Sequence, residues 1–268
     1  MKNLTTIIPV NKITSDELNL LETALKSINE QQDVETPNKV IVIHTSEIDD
    51  LITEFSKKTF EKLEIKYISN DGSTSISNQI NTAIASVETE YFSYLEFDDE
   101  FTTFYFKHVN DYIQNFKDVS LFLPLTIDII KANNSFVRYG NAEAFARDVT
   151  EVQGYVTHDT LRKMPIFNSI SGGIFKLVDF IELGKLKENI KYSFIYEYLL
   201  RITNQDQKIM VIPKLGYLHT IDRTNSFGVS LSNSDITKEE HTFWFETAQK
   251  EFHFTKVDRK VEYTPITV

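Results

Sequence analysis

The chain has 268 residues, with 28 Lys and Arg against 39 Asp and Glu, a formal net charge of −11. That length fits one large domain or two small ones, and 20 Phe with 12 Tyr exclude a disordered chain. The acidic balance repels phosphates and argues against a nucleic-acid platform, and the absence of cysteine removes disulfides, zinc–cysteine sites and thiol nucleophiles.

In chain order, Leu4–Val10 is a β-branched apolar run, the pattern of a buried parallel strand. Asp16 to Gln31 carries Leu18, Leu21, Leu25 and Ile28 at helical spacing, with Ser15 as N-cap. Lys39–Ile43 is a second buried strand, Ile48 to Lys62 a second helix, and Glu64–Ile68 a third strand. That strand breaks at the turn signature Asn70-Asp71-Gly72-Ser73. Ser77 to Ser86 reads as a helix with Ile80, Ala83 and Ile84 inward. Tyr91–Leu95 is a fourth strand, ending in Glu96-Phe97-Asp98-Asp99-Glu100. Strand and helix alternating at this spacing imply a mainly parallel sheet flanked by helices on both faces, and ligands bind beyond the carboxyl ends of such strands.

The second half is less regular. The pattern predicts a helix over Phe104 to Phe116, a strand over Ser120 to Ile130, and a polar turn at Asn133 and Asn134. A strand over Ile170 to Phe175 leads to a helix at Val178–Leu183. A further helix spans Tyr192 to Asn204, and a short strand spans Lys208 to Pro213. An amphipathic helix over Glu239 to Phe252 carries the only Trp, Trp244, and an extended tail follows from Thr255. These patterns divide the chain into residues 1–230, holding the sheet, and 231–268, the C-terminal helix and tail. Phe243 and Phe245 cannot share one helix face, which leaves one of them for a protein partner or self-association through the Trp244 helix. No apolar run is long enough to span a membrane. The N-terminus lacks a small-residue signal cleavage site. The expected location is cytoplasmic, or virion-associated for a virus-encoded protein.

Carboxylates at a strand end can hold a hard divalent cation, which in turn holds phosphate oxygens. Glu96 and Asp98, two residues apart, would share a face if the strand continued. A solvated acidic turn is the plainer reading of this segment alone. Together, Pro9-Val10-Asn11, the Asn70–Ser73 turn, Ser77-Asn78 and Leu95-Glu96-Phe97-Asp98-Asp99 resemble the motifs of family 2 glycosyltransferases of the GT-A fold. Ser171-Gly172-Gly173, Leu183-Gly184, Glu188-Asn189, Tyr198-Leu199-Leu200-Arg201, Ile212-Pro213, Tyr217-Leu218-His219 and Ser226 continue the resemblance to about residue 226. It implies a GT-A, Rossmann-like mixed sheet with a C-terminal helical extension. It also implies a nucleotide-sugar donor, with Mg²⁺ or Mn²⁺ on its diphosphate held by Glu96 and Asp98. Pro9, Val10, Asn11 and His44 would line the base pocket. Asn78 could hold the turn around Asn70 or touch a ribose. His219 falls where related enzymes add a metal or phosphate contact, though a lone His is more often packed or on the surface.

Besides Ser77 in place of the family's Arg and Glu96 in place of its Asp, two departures from the family pattern matter. The second strand ends in His44-Thr45-Ser46 in place of the family's base-recognising acid. Phe194-Ile195 stands where the family has a Glu-Asp pair whose Asp is the catalytic base. Glu197 and Asp99 are the remaining candidates for that base, although Glu197 would be turned about 200° from position 195 on a helix. Two readings therefore stand. One is a transferase acting on an unknown acceptor. The other is a degenerate GT-A-fold protein serving as a structural, assembly or binding component. A nucleotidyltransferase would share the acidic strand end, but the sequence has no Gly-rich basic phosphate loop. Arg201 reads as pairing a carboxylate in its own helix, and Asp258-Arg259-Lys260 as a solvated turn.

Overall fold

The computed structural model describes residues 3–35, 37–70, 75–132, 135–143, 154–163, 170–221 and 237–253. The turn residues 71–73, Asn133, Asn134, Ser226, the Asp258–Lys260 segment and the tail lie outside the described residues.

Leu4–Val10 forms β1, buried along its whole length. It pairs in parallel with β2 (Asn38–Thr45) on one side and β4 (Tyr91–Tyr94) on the other, and β2 pairs in parallel with β3 (Leu63–Asn70). The resulting order, β3-β2-β1-β4, reverses direction between β1 and β4, so the crevice beyond those two strand ends is the expected ligand position. Side-chain alternation decides which helices cover which face. Ile8, Val10, Val40 and Val42 pack with α1 (Leu18–Asn29), α2 (Asp49–Phe55) and α4 (Tyr105–Asn115). Ile7, Ile41 and Ile43 pack on the opposite face with α3 (Ile76–Ile84), α6 (Leu177–Glu182) and α7 (Phe194–Asn204).

Several boundaries differ from the sequence expectation. The first helix opens with a short 3₁₀ turn at Ser15–Glu17, and the cap is Thr14 rather than Ser15. The Glu17 carboxylate accepts from both the Thr14 N–H at 3.0 Å and its hydroxyl at 2.9 Å. The second helix stops at Phe55 instead of Lys62, because the next inward positions on its stripe, Lys58 and Thr59, are polar. The sheet is mixed, through strands that the apolar pattern did not mark. These are β5 (Glu100–Phe101), β7 (Ser135–Glu143) and β8 (Tyr155–Val156). The expected strand at Ile170 shrinks to β9 (Ile174–Lys176), because Gly172 takes a turn conformation at φ +75°. β9 inserts antiparallel between β4 and β6 (Val119–Ala132).

The largest correction is β10. It runs from Lys208 to Ile221, well past Pro213, and pairs in parallel with β6. Register shifts between Val211 and Leu215 and between Leu215 and Tyr217 absorb three extra residues of β10, two in the interval that holds Pro213 and one, Gly216, in the next. A Cβ on Gly216 would sit 2.3 Å from Tyr105 Cδ2, so the position holds only glycine without rearrangement. Two helices complete the described chain, α5 (His158–Lys163), which the sequence pattern did not mark, and α8 (Lys238–Glu251). Phe245 of α8 stacks on Tyr196 of α7 with ring centroids 5.1 Å apart, Ala248 and Phe252 are buried in the same apolar cluster as Leu161 and Tyr196, and the Phe252 ring lies 5.1 Å from that of His158. Phe243 is the ring left outside, 59% exposed.

Candidate functional site

The chain leaves β4 at Tyr94, and Glu96, Asp98 and Asp99 follow at its carboxyl end. One carboxylate oxygen from each lies within 4.8 Å of the others. The three acids are not equivalent. Asp99 is buried, with one oxygen accepting from the Tyr217 hydroxyl at 2.6 Å and the other from the Thr220 N–H at 2.7 Å. Both bonds reach across to β10. They hold Asp99 as the anchor of the turn, which leaves it poorly placed to take a proton from a substrate. Glu96 accepts from the Ser171 hydroxyl at 2.6 Å.

Electrostatics follow from this crowding. Burial, and then the neighbouring Asp98 charge, push the Glu96 carboxyl up to about 7. Burial and the same neighbours raise Asp99 well above the carboxylate range, although its two hydrogen bonds oppose the shift. Tyr94 and Tyr217, both buried against the cluster, are also pushed well up, first by burial and then by the carboxylates.

The segment Ser171-Gly172-Gly173 closes one wall. The Gly172 N–H donates to the Tyr94 carbonyl at 2.7 Å, and the Tyr105 hydroxyl donates to the Gly172 carbonyl at 2.6 Å. His219 lies on β10 between Tyr217 and Thr220, the two residues that bind Asp99. Its Nδ1 is 2.8 Å from Asp128 Oδ1, and its side chain is 40% exposed.

At the carboxyl end of β1, Asn11 follows the strand, and its side-chain oxygen is buried without a hydrogen-bond partner among the described residues. Its carbonyl accepts from Thr45 Oγ1 at 2.8 Å, tying together the ends of β1 and β2. Pro9 and Val10 are buried within the strand, and the Val10 side chain belongs to the core, leaving only its backbone to a ligand. His44 is buried, with Nδ1 3.2 Å from the Thr45 carbonyl and 3.3 Å from Asp49 Oδ1. Of the two roles open to Asn78, the turn-holding one is what the geometry displays. Its oxygen accepts from Asn70 Nδ2 at 3.1 Å, and its nitrogen donates to Glu188 at 2.9 Å.

Glu197 requires a correction. It is fully buried on α7, ion-paired to Arg201 at 2.9 Å and to Lys187 at 3.0 Å. Arg201 also donates to the Leu183 and Lys185 carbonyls. This carboxylate neutralises two buried cations and fastens α7 to the preceding loop, so it is not free to serve as a base. Sequence reasoning missed Tyr94 and Asp128 as contributors, and it quoted Ser171 and Tyr217 without roles. The one available signal was the two-residue spacing of Tyr217 and His219, which puts both on one face of a strand.

As donors for a cation, the hard carboxylate oxygens of Glu96 and Asp98 suit Mg²⁺ or Mn²⁺, and the His219 imidazole, outside that close group, is near enough to act electrostatically on Glu96. A cation held there would relieve the unfavourable concentration of negative charge.

A mixed sheet ordered 3-2-1-4 at its parallel end, helices on both faces and an acidic turn beyond the fourth strand together make up the GT-A glycosyltransferase fold. Among solved structures, the chain is similar to S. aureus TarS, at 16% identity and TM-score 0.61, over 97% of this chain and 46% of that one. It is also similar to TarS residues 1–349 in complex with UDP-GlcNAc, at 16% identity and TM-score 0.62, over 96% of this chain and 74% of that one. For the UDP complex of the same piece the values are 15% and 0.59, over 96% and 73%. The chain thus spans less than half the length of the longer TarS chain. No protein-family model matches the sequence, and no curated protein does. Among the described residues, no helix is long and apolar enough to cross a membrane.

Proposed function

We propose that this protein binds a nucleotide-sugar donor in the crevice beyond β1 and β4, with uridine as the nucleoside. The observation that carries the reading is the Glu96–Asp98–Asp99 cluster at the sheet's switch point. The structural neighbours complexed with UDP and UDP-GlcNAc support it. Asn11, with its unpaired buried oxygen, and His44 recognise the base, and the backbone of Pro9 and Val10 lines its pocket. Glu96, Asp98 and His219 hold Mg²⁺ or Mn²⁺ over the diphosphate. When bound, the cation supplies Lewis-acid stabilisation of the nucleoside diphosphate leaving group. Asp99 keeps the acidic turn against β10.

Transfer to an acceptor is slow in this reading. Deprotonating an acceptor hydroxyl is worth roughly 10²–10⁴-fold. Phe194 and Ile195 offer no base, Glu197 is locked between Arg201 and Lys187, and Asp99 has both oxygens engaged. These same facts favour the second reading, a GT-A-fold protein that binds a donor but serves assembly or recognition.

Calorimetry with UDP, UDP-sugars and the other nucleoside diphosphates, with and without Mn²⁺, tests donor binding. Uridine ligands should bind with Mn²⁺ and much more weakly without it, and Asp98→Asn should abolish the difference. No heat from any nucleotide, on protein shown to be folded, would overturn the proposal. On a pool of nucleotide sugars, slow hydrolysis without efficient transfer is expected.

A further inference from the structure

Among the described residues, the Asp128–His219 pair near the acidic cluster is a contact that the donor-binding reading leaves without a purpose. β6 and β10 run in parallel with His219 opposite Asp128, so the pair is set by strand register. That register depends on the bulge at Gly216. Leu215 faces Leu125, yet Tyr217 faces Thr126, so one residue of β10 is skipped. Without the skip, Leu218 would stand opposite Asp128. The fold thus spends a tightly confined glycine, wedged against Tyr105 and Pro124, to bring an imidazole beside a carboxylate.

An imidazole whose Nδ1 faces a carboxylate at 2.8 Å carries its proton on Nδ1 and leaves the lone pair on Nε2. Asp128 is itself mostly sheltered, 19% exposed, so solvent competes poorly for this bond. Tyr217, two residues before His219 on the same strand face, and Thr220, directly after it, bind Asp99, which places the ring at the rim of the acidic cluster. Glu96 and His219 also interact electrostatically, consistent with the two side chains lying close.

We propose that Asp128 is a positioning residue that fixes His219 in its Nδ1–H tautomer, so that Nε2 is the nitrogen donor to the divalent cation held by Glu96 and Asp98. This rests on the cation-dependent donor binding proposed above. Carboxylate partners of ligating histidines hold ring orientation and tautomer, and losing one typically lowers metal affinity 10–100-fold.

The test uses the full chain with Mn²⁺ and UDP, following affinity by calorimetry and nitrogen ligation by pulsed electron paramagnetic resonance. Ring-nitrogen NMR reads the His219 tautomer in the metal-free protein. Wild type should show the Nδ1–H tautomer and a nitrogen coupling to Mn²⁺ that is absent in His219→Gln. Asp128→Ala should lose the single tautomer and weaken Mn²⁺ about 10–100-fold. Asp128→Asn, which retains a carbonyl acceptor, should keep the tautomer and most of the coupling. The conservative variant and the wild-type spectra decide the matter even if Asp128→Ala fails to fold. An Nε2–H tautomer in wild type overturns the proposal, as does Mn²⁺ bound with UDP but without nitrogen coupling, and in both cases donor binding stands. Wild type that binds no Mn²⁺ in the presence of UDP overturns the proposal together with the cation-dependent reading.

Discussion

At the scale of single residues, Glu96 links the site to stability. Its carboxyl titrates near 4.5 when unfolded and is pushed up to about 7 in the fold by burial and Asp98. A raised carboxyl favours the protonated folded form. Its contribution is therefore complete below about pH 4.5 and is lost as pH rises through about 7. Over that window, metal-free wild type should lose stability relative to Glu96→Gln by on the order of 3 kcal/mol at most, at about 1.4 kcal/mol per pH unit. Urea titrations of both proteins at several pH values measure this, and a stability difference that stays flat with pH would contradict it. Gly172 makes a second case. It sits at φ +75°, and an added Cβ would lie 2.6 Å from Tyr217 Cδ2 and 3.0 Å from Pro124 Cγ. Gly172→Ala should cost about 2 kcal/mol or more, combining backbone strain with overpacking against the tyrosine that holds Asp99. A loss under about 0.5 kcal/mol in the same denaturation assay, the size of an ordinary surface change, would show that the wall is looser than drawn.

Among elements, α8 offers the clearest contrast within one segment. Phe252, just past its end, is buried in the same apolar cluster as Leu161 and Tyr196, while Phe243 projects outward. Phe252→Ala should cost about 3–5 kcal/mol, and Phe243→Ala should stay within about 0.5 kcal/mol. Equal effects in thermal or chemical unfolding would show that the helix is docked on the wrong face. The helical spacing showed that Phe243 and Phe245 must part company, but not which would turn inward, since that depends on Tyr196, far away in the chain. The same limit explains what was legible elsewhere. β1 to β4 could be read because parallel strands buried on both faces are continuous apolar runs. β5 and β8 are two residues each and exist only because β10 offers them a partner. The continuation of β10 past Pro213 was hidden because a proline argues locally against a strand, and only the pairing with β6 restores it.

For the whole molecule, the acidic turn at Glu96–Asp99 was legible as a candidate site, since three acids follow an apolar strand at a predictable ligand edge. What each acid does was not. Asp99 became an anchor through Tyr217 and Thr220, and Glu197 became an ion-pair partner through Arg201 and Lys187. The dependence of the acidic turn on β10 also has a consequence for how the chain matures. Asp99 and Thr220 are separated by 121 positions. Closing so long a loop is slow compared with forming the local β1–α1–β2 units. During synthesis the parallel half can collapse while β10 is still inside the ribosome, leaving Asp99 without the Tyr217 hydroxyl and Thr220 amide that bond it. The carboxylates then repel one another in a half-built crevice, so the acidic turn reaches its final form only after β10 docks, late in the birth of the protein.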